Sequence, residues 1–228
     1  MVPCACKRMP GAEFIFDSAA YGASRDARVR CLFEHVSRDS LKNARVLELG
    51  SGTGQIGAVL AAAGAQVVSV DSVPAYIEEL CRRYPEREAH VIDLESWDGK
   101  GLGAFDAVLC FGILYHVSQP RTVLKACRLV APVLYLETVV SDTGEPVCPL
   151  VEESGPDQAT SGKGCRPSPA WIEMTLRELG YKVQDISSTR ANWNGEPDSV
   201  FDWRPLNDWS WLRDDCLLRK MYLARLVV

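Results

Sequence analysis

The chain has 228 residues, 47% of them hydrophobic and 24% charged, enough for one sizeable α/β core, too few for two full domains, and outside the composition of disordered chains. Its formal net charge of -5 disfavours an extended nucleic-acid footprint, which needs a surplus of Lys and Arg. No stretch approaches the ~18 apolar residues of a membrane span, and the opening MVPCACKRMPG lacks the apolar run of a secretory signal, so a cytoplasmic protein without a membrane partner is expected.

The segment 1–23 is irregular and reads as an arm or cap over a site. From Ser24 onward a single domain is expected, 24–228, with insertions at about 141–167 and 188–218. Val29, Leu32, Phe33 and Val36 recur at helical spacing and predict an amphipathic helix. ARVLELG reads as a buried strand and QIGAVLAAAG as a small-residue helix. QVVSV is the next strand, and PAYIEELCRRY a helix with Ile77, Leu80, Cys81 and Tyr84 inward. AHVID, FDAVLCFG and VLYLETVV supply three more strands, with the helix PRTVLKACRLV before the last of them. This alternation is the mark of βαβ units and a parallel sheet. The Gly- and Pro-rich stretch up to Pro167 reads as a lid or substrate loop. Ser168 and Pro169 open a helix with Ile172, Leu176 and Leu179 inward and Gly180 past its end. YKVQDIS and KMYLARLVV are the last two strands.

The nine cysteines are odd in number and mostly embedded in apolar runs, which fits reduced thiols. Only Cys4 and Cys6 stand close together, without a second pair or a histidine at zinc-finger spacing, so no metal is expected.

The stretch Val46 to Gly54, V-L-E-L-G-S-G-T-G, leaves a strand and enters a helix. Alternating glycines let the backbone turn tightly and approach a ligand, beside the free N–H groups of a helix N-terminus. Adenosine cofactors use this geometry. Gly52-Thr53-Gly54-Gln55-Ile56-Gly57 also satisfies the G-x-G-x-x-G of dinucleotide enzymes, with Asp71 at the distance of a ribose-binding acid. Glu48 separates the two readings, because a carboxylate near the loop suits an amino group and a sulfonium and repels a diphosphate. Glu48, Asp71 and Asp93 would then place acids at the ends of three successive strands, where open α/β sheets bind ligands.

These residues, together with V-D-S, D-L and F-D-A-V-L-C-F-G-I-L-Y-H, resemble the successive motifs of class I S-adenosylmethionine (SAM)-dependent methyltransferases over about Ala44 to Val140. The resemblance implies a Rossmann-like three-layer α/β sandwich around a seven-stranded, mostly parallel sheet whose last strand is antiparallel. It implies SAM as cofactor and S-adenosylhomocysteine as product. It also implies that Gly50, Gly52 and Gly54, with Ser51 and Thr53 between them, line the methionine part. Asp71, followed by Ser72, would grip the ribose; Asp93 and Leu94 would lie near the adenine amine; Phe111 and Gly112 would flank the cofactor. F-G-I-L-Y-H-x-x-x-P and V-L-Y-L-E-T-V-V are similar to one branch, the tRNA wobble-uridine carboxymethyltransferases. That branch carries a basic residue after Tyr-His where this chain has Val117, so ordinary methyl transfer is expected.

Methyl transfer from a sulfonium is an in-line displacement, and an oxygen or nitrogen acceptor can require a base. His116, beyond the fourth strand, is the candidate base; the plainer alternative is a histidine that orders its turn. Tyr115 and Phe111 could offer aromatic faces to a cation or simply pack. Glu137 is a candidate hydrogen-bond partner for the acceptor, and Arg166 and Arg190 candidate ligands for an anionic one. Trp193, Phe201, Trp203, Trp209 and Trp211 make the second insertion a flap, a satellite core or a dimer contact. The expected function is methyl transfer to a small molecule, O-directed before N-directed, such as a sugar or natural-product intermediate. The alternatives are a tRNA-modifying transferase, an NAD-dependent oxidoreductase, and a cofactor-binding partner subunit without turnover.

Overall fold

A computed structural model describes residues 14–153, 161–187 and 219–227. Five strands predicted from apolar runs form the parallel body: β1 (Arg45–Leu49), β2 (Gln66–Asp71), β3 (Glu88–Val91), β4 (Ala107–Phe111) and β5 (Val133–Val139). A short antiparallel hairpin follows, β6 (Leu150–Glu152) and β7 (Lys163–Cys165), then β8 (Tyr181–Asp185) and β9 (Arg219–Leu226). The main sheet has the order β3-β2-β1-β4-β5-β9-β8. β9 runs opposite to the other six strands of this sheet, so the predicted seven-stranded, doubly covered sheet is observed.

Helices α1 (Ala19–His35), α2 (Gln55–Ala62), α3 (Pro74–Arg83), α4 (Pro120–Val130) and α5 (Pro169–Glu178) complete the layers. The pleat of β1 divides the core. Leu47 and Leu49 join Val108, Cys110, Leu124 and Leu176 on one face, whereas Val46 joins Leu32, Leu60 and Leu109 on the other. Removing each such side chain from water stabilises the fold by about 1.5–3 kcal/mol. Helix α5 starts as predicted, with the Ser168 side chain accepting a hydrogen bond from Trp171 N (3.1 Å), and Gly180 follows it at φ +88°. Among the described residues no helix is long and apolar enough to cross a membrane.

Three local expectations differ from the structure. Helix α1 begins at Ala19, ahead of Ser24, because the Ser18 hydroxyl accepts from Tyr21 N (3.2 Å) and caps it. Cys81 is exposed, because α3 turns Tyr76 and Arg83 toward the segment that precedes α1. The stretch expected as one long loop contains the β6–β7 hairpin. The Cys4 and Cys6 pair lies outside the described residues.

Candidate functional site

The glycine loop leaves β1 with Gly50, Gly52 and Gly54 at φ +61°, +51° and +82°, backbone states that residues with a Cβ adopt only with strain. Ser51 N is held by Val70 O at 3.0 Å, which ties the loop to β2. Asp71, the last residue of β2, accepts from Gly52 N (2.8 Å) and from Val73 N (2.9 Å). A carboxylate has about four lone-pair sites, so capacity for a ligand hydroxyl remains. Burial raises the Asp71 pKa, against the pull of the Val73, Gly52 and Ser72 amides.

Glu48 lies beneath the loop. Its Oε1 accepts from Gly57 N (2.7 Å) and its Oε2 from Ser69 Oγ (2.7 Å). A Cβ on Gly57 would stand 2.3 Å from Glu48 Oε2. The third glycine of the dinucleotide-like pattern therefore makes room for a carboxylate, at the helix terminus where a diphosphate would rest. Burial raises the Glu48 pKa.

A short 3-10 turn before α1, Ile15–Asp17, roofs the loop. A Cβ on Gly52 would stand 2.7 Å from the Phe16 ring. Edge contacts of 5.0 Å join Phe16 to Tyr21 and to Tyr76. Asp17 anchors the turn through Arg83 Nη1 (2.6 Å) and Nη2 (2.7 Å) and through Gln55 Nε2 (2.8 Å).

The ends of β4 and β5 carry a polar cluster. Gly112 follows β4 at φ +69°, and a Cβ there would lie 3.2 Å from Arg28 Nη1. Arg28, buried on α1, has Glu137 Oε2 3.2 Å from its Nε, but out of line, and both atoms lack a hydrogen-bond partner. Glu137 Oε1 takes a bond from Arg219 Nη1 (2.9 Å), and Arg219 Nη2 reaches the Tyr115 hydroxyl (3.1 Å). Burial alone would raise the Glu137 pKa, yet Arg28 and Arg219 together hold it below the ordinary carboxylate range. Next to them, on a 3-10 turn of Leu114–His116, His116 Nδ1 lies 2.6 Å from Glu153 Oε2, and Arg166 Nη1 lies 3.0 Å from Glu153 Oε1. Burial lowers the His116 pKa, helped by Arg219 and Arg166 and partly opposed by Glu153.

The structure thus groups Gly50, Ser51, Gly52, Thr53, Gly54 and Asp71 around one loop, and Gly112, Tyr115, His116, Glu137 and Arg166 around a neighbouring cluster. Ser72 follows Asp71 and is half-buried. Asp93 is exposed and accepts from Glu95 N (3.0 Å), closing its own turn. Leu94 and Phe111 are buried in the two core layers. Glu137 bonds to arginine and so has less to offer an acceptor. His35 is exposed, His90 pairs with Glu88, and Arg190 and the aromatic residues of the second insertion lie outside the described residues. Arg28, Phe16, Glu153 and Arg219 escaped the sequence reading. Arg28 stands on the polar edge of a helix stripe, and Glu153 in a segment without periodicity.

The chemistry of the donors fits S-adenosylmethionine. Asp71 has acceptor capacity for a ribose hydroxyl, the buried Arg28 Nε has an ion-pair partner in Glu137 but no hydrogen-bond partner, and the Thr53 hydroxyl is also buried without a hydrogen-bond partner. The rings of Phe16, Tyr21 and Tyr76 supply π-faces suited to a sulfonium.

Comparison with known proteins agrees. A family profile described as a methyltransferase domain matches residues 47–131. The ubiquinone biosynthesis O-methyltransferase of Xanthomonas euvesicatoria pv. vesicatoria (strain 85-10) is 33% identical over 170 residues, 68% of this chain and 70% of that protein. The protein of the same name from Xanthomonas oryzae pv. oryzae (strain PXO99A) is 33% identical over 111 residues, 45% of this chain and 46% of that protein. The chain thus matches about half the length of that relative. The crystal structure of the N-terminal domain of EvdMO1 with SAH bound shares the fold at a TM-score of 0.64 and 22% identity, covering 90% of this chain and 81% of that one.

Proposed function

This chain belongs to the class I SAM-dependent methyltransferases, and from that premise we propose that it transfers a methyl group to a hydroxyl of a small molecule. The observation that carries the oxygen assignment is the imidazole of His116, held through Nδ1 at 2.6 Å from the buried Glu153 carboxyl, at the strand edge where the family's chemistry is sited. A hydroxyl must lose its proton as the new bond forms, and an imidazole of this kind can accept it. Relatives named as O-methyltransferases support the same choice.

When bound, SAM supplies a methyl group on a cationic sulfur, ready for in-line displacement. Asp71 would receive a ribose hydroxyl, and the methionine part would lie along the backbone of Gly50 and Gly52, beside the Ile113 and Phe16 side chains that border them. The guanidinium of Arg28 would hold the amino-acid carboxylate in a charge-assisted pair. Phe16 and Tyr21, which pack together over the glycine loop, would cover the bound cofactor and exclude water. His116 Nε2 would take the hydroxyl proton as the oxygen–carbon bond forms and the carbon–sulfur bond breaks. We propose a cytoplasmic location, which the free thiols of Cys110, Cys127 and Cys165 support, and neither an extended nucleic-acid partner nor a membrane partner, on the grounds of the net charge of -5 and the absence of a long apolar run.

The test is calorimetric titration with S-adenosylhomocysteine and with NAD, followed by an acceptor screen with methyl-labelled SAM over phenols, catechols and sugars. Binding of S-adenosylhomocysteine alone and label on a hydroxyl compound is expected. Label appearing only on tRNA, or only on amines, overturns the acceptor assignment.

A further inference from the structure

We propose that Glu153 is a positioning residue that fixes His116 in one tautomer, with the proton on Nδ1 and Nε2 left open to accept one. The inference rests on the reading of His116 as the base. An ionised carboxylate offers only acceptors. Arg166 donates to the other oxygen of Glu153, which favours the carboxylate; with Oε2 accepting at 2.6 Å the hydrogen is assigned to Nδ1, and the lone pair of the neutral ring falls to Nε2. Nε2 has no hydrogen-bond partner among the described residues. This is the division of labour in which a buried acid orients a histidine so that the opposite nitrogen does the proton transfer.

The carboxylate is itself held. Glu153 follows β6, its side chain is 2% exposed, and Arg166 on the other arm of the hairpin donates to its second oxygen at 3.0 Å. Arg166 Nη1 also donates to Cys165 O (2.8 Å) and lies 3.4 Å from Tyr115 O, which ties the hairpin to the turn that carries His116. Gly164 permits this approach, because a Cβ there would stand 2.4 Å from Tyr115 O and 2.7 Å from Glu153 Oε1. On the other side the Tyr115 ring packs on the imidazole, with centroids 3.9 Å apart, and the Tyr115 hydroxyl is bonded to Arg219. The charges facing His116 are thus Glu153 and Arg166 from the hairpin and Arg219 from β9. The β6–β7 insertion accordingly contributes more than cover: it delivers the acid partner of the base.

The experiment is NMR of the full chain with 15N-labelled histidine, saturated with S-adenosylhomocysteine, with His116 assigned through H116Q. The wild-type protein is expected to show His116 protonated on Nδ1, with an unprotonated Nε2. In E153Q, whose amide can donate as well as accept, mixed tautomers are expected. The His116 pKa should fall for lack of the carboxylate, and the acid limb of kcat against pH should shift downward with it. The plateau kcat should drop tenfold or more, with KM for SAM changed less than twofold, and E153D should restore part of the tautomer preference. A wild-type His116 protonated on Nε2, or an E153Q protein with unchanged tautomer and pKa, overturns the proposal. The wild-type spectrum needs neither a variant nor turnover. A fixed Nδ1–H tautomer that depends on Glu153, found in a protein that methylates no hydroxyl, would sink the proposed acceptor and leave the positioning role standing.

Discussion

Glu48 sits 2.7 Å from Gly57 N, in space that any side chain on residue 57 would fill. Gly57→Ala would place its methyl 2.3 Å from Glu48 Oε2, and neither partner can move freely. Glu48 is also held by Ser69, and Gly57 lies in the first turns of α2. The expected loss is about 1–3 kcal/mol of stability, the usual cost of overpacking, measured by urea denaturation. An alanine variant as stable as wild type would show that the carboxylate is not confined there.

Asp71→Ala removes the acceptor of Gly52 N and Val73 N together with the proposed ribose ligand. Charge-assisted hydrogen bonds contribute about 1.5–3 kcal/mol, so the Kd for S-adenosylhomocysteine should rise about tenfold to a hundredfold. Calorimetry reads this directly, and unchanged affinity would take Asp71 out of the binding site.

Arg28→Met separates the proposed carboxylate anchor from the rest of the pocket. The variant keeps the length of the stem and removes the guanidinium, so the affinity for S-adenosylhomocysteine should fall about tenfold to a hundredfold. Methylthioadenosine, which has no amino-acid carboxylate, should bind as tightly as before. Equal losses for both ligands would mean that Arg28 serves only Glu137 and the packing of α1.

What the sequence made legible and what it did not divide along contact distance. Strands such as Arg45–Leu49 and Ala107–Phe111 are visible because apolar runs between turn signals are local. The glycine loop and Asp71 are visible because their spacing along a βαβ unit is fixed by the fold. Glu48 is an instructive half-success: it stands beside the loop, but alternation with Leu47 and Leu49 turns its side chain to the α2 face, opposite Ser69 in the β1–β2 register. Arg28, Glu137 and Arg219 meet only when α1, β5 and β9 are assembled, and no periodicity in the chain links them. Glu153 escaped for the same reason. It reaches His116 through a hairpin of three-residue strands, too short to leave a pattern in a Gly- and Pro-rich stretch.

Acid should release the roof of the cofactor loop before it unfolds the sheet. Glu79 is held by Arg82 and Arg83 down to a pKa of about 2, from an ordinary 4.5, and Asp17 is lowered chiefly by Arg83. Both acids have folded values below their unfolded ones. Their contribution is therefore complete above about pH 4.5 and is lost as pH falls toward 2. These pairs are partly solvated, so the global effect is small, but they are the charged anchors of the turn that places Phe16 against Gly52. In hydrogen exchange corrected for intrinsic rates, Asp17 N and Ser18 N, which bond to Phe14 O and Ile15 O, should lose protection over that window while β1 and β4 keep theirs. Arg83→Gln should show the low protection already at neutral pH, with little further change on acidification and a weaker affinity for S-adenosylhomocysteine. If the variant protects these amides as well as wild type does, the aromatic contacts of Phe16 alone hold the roof, and the ion pairs with Arg83 are incidental to it.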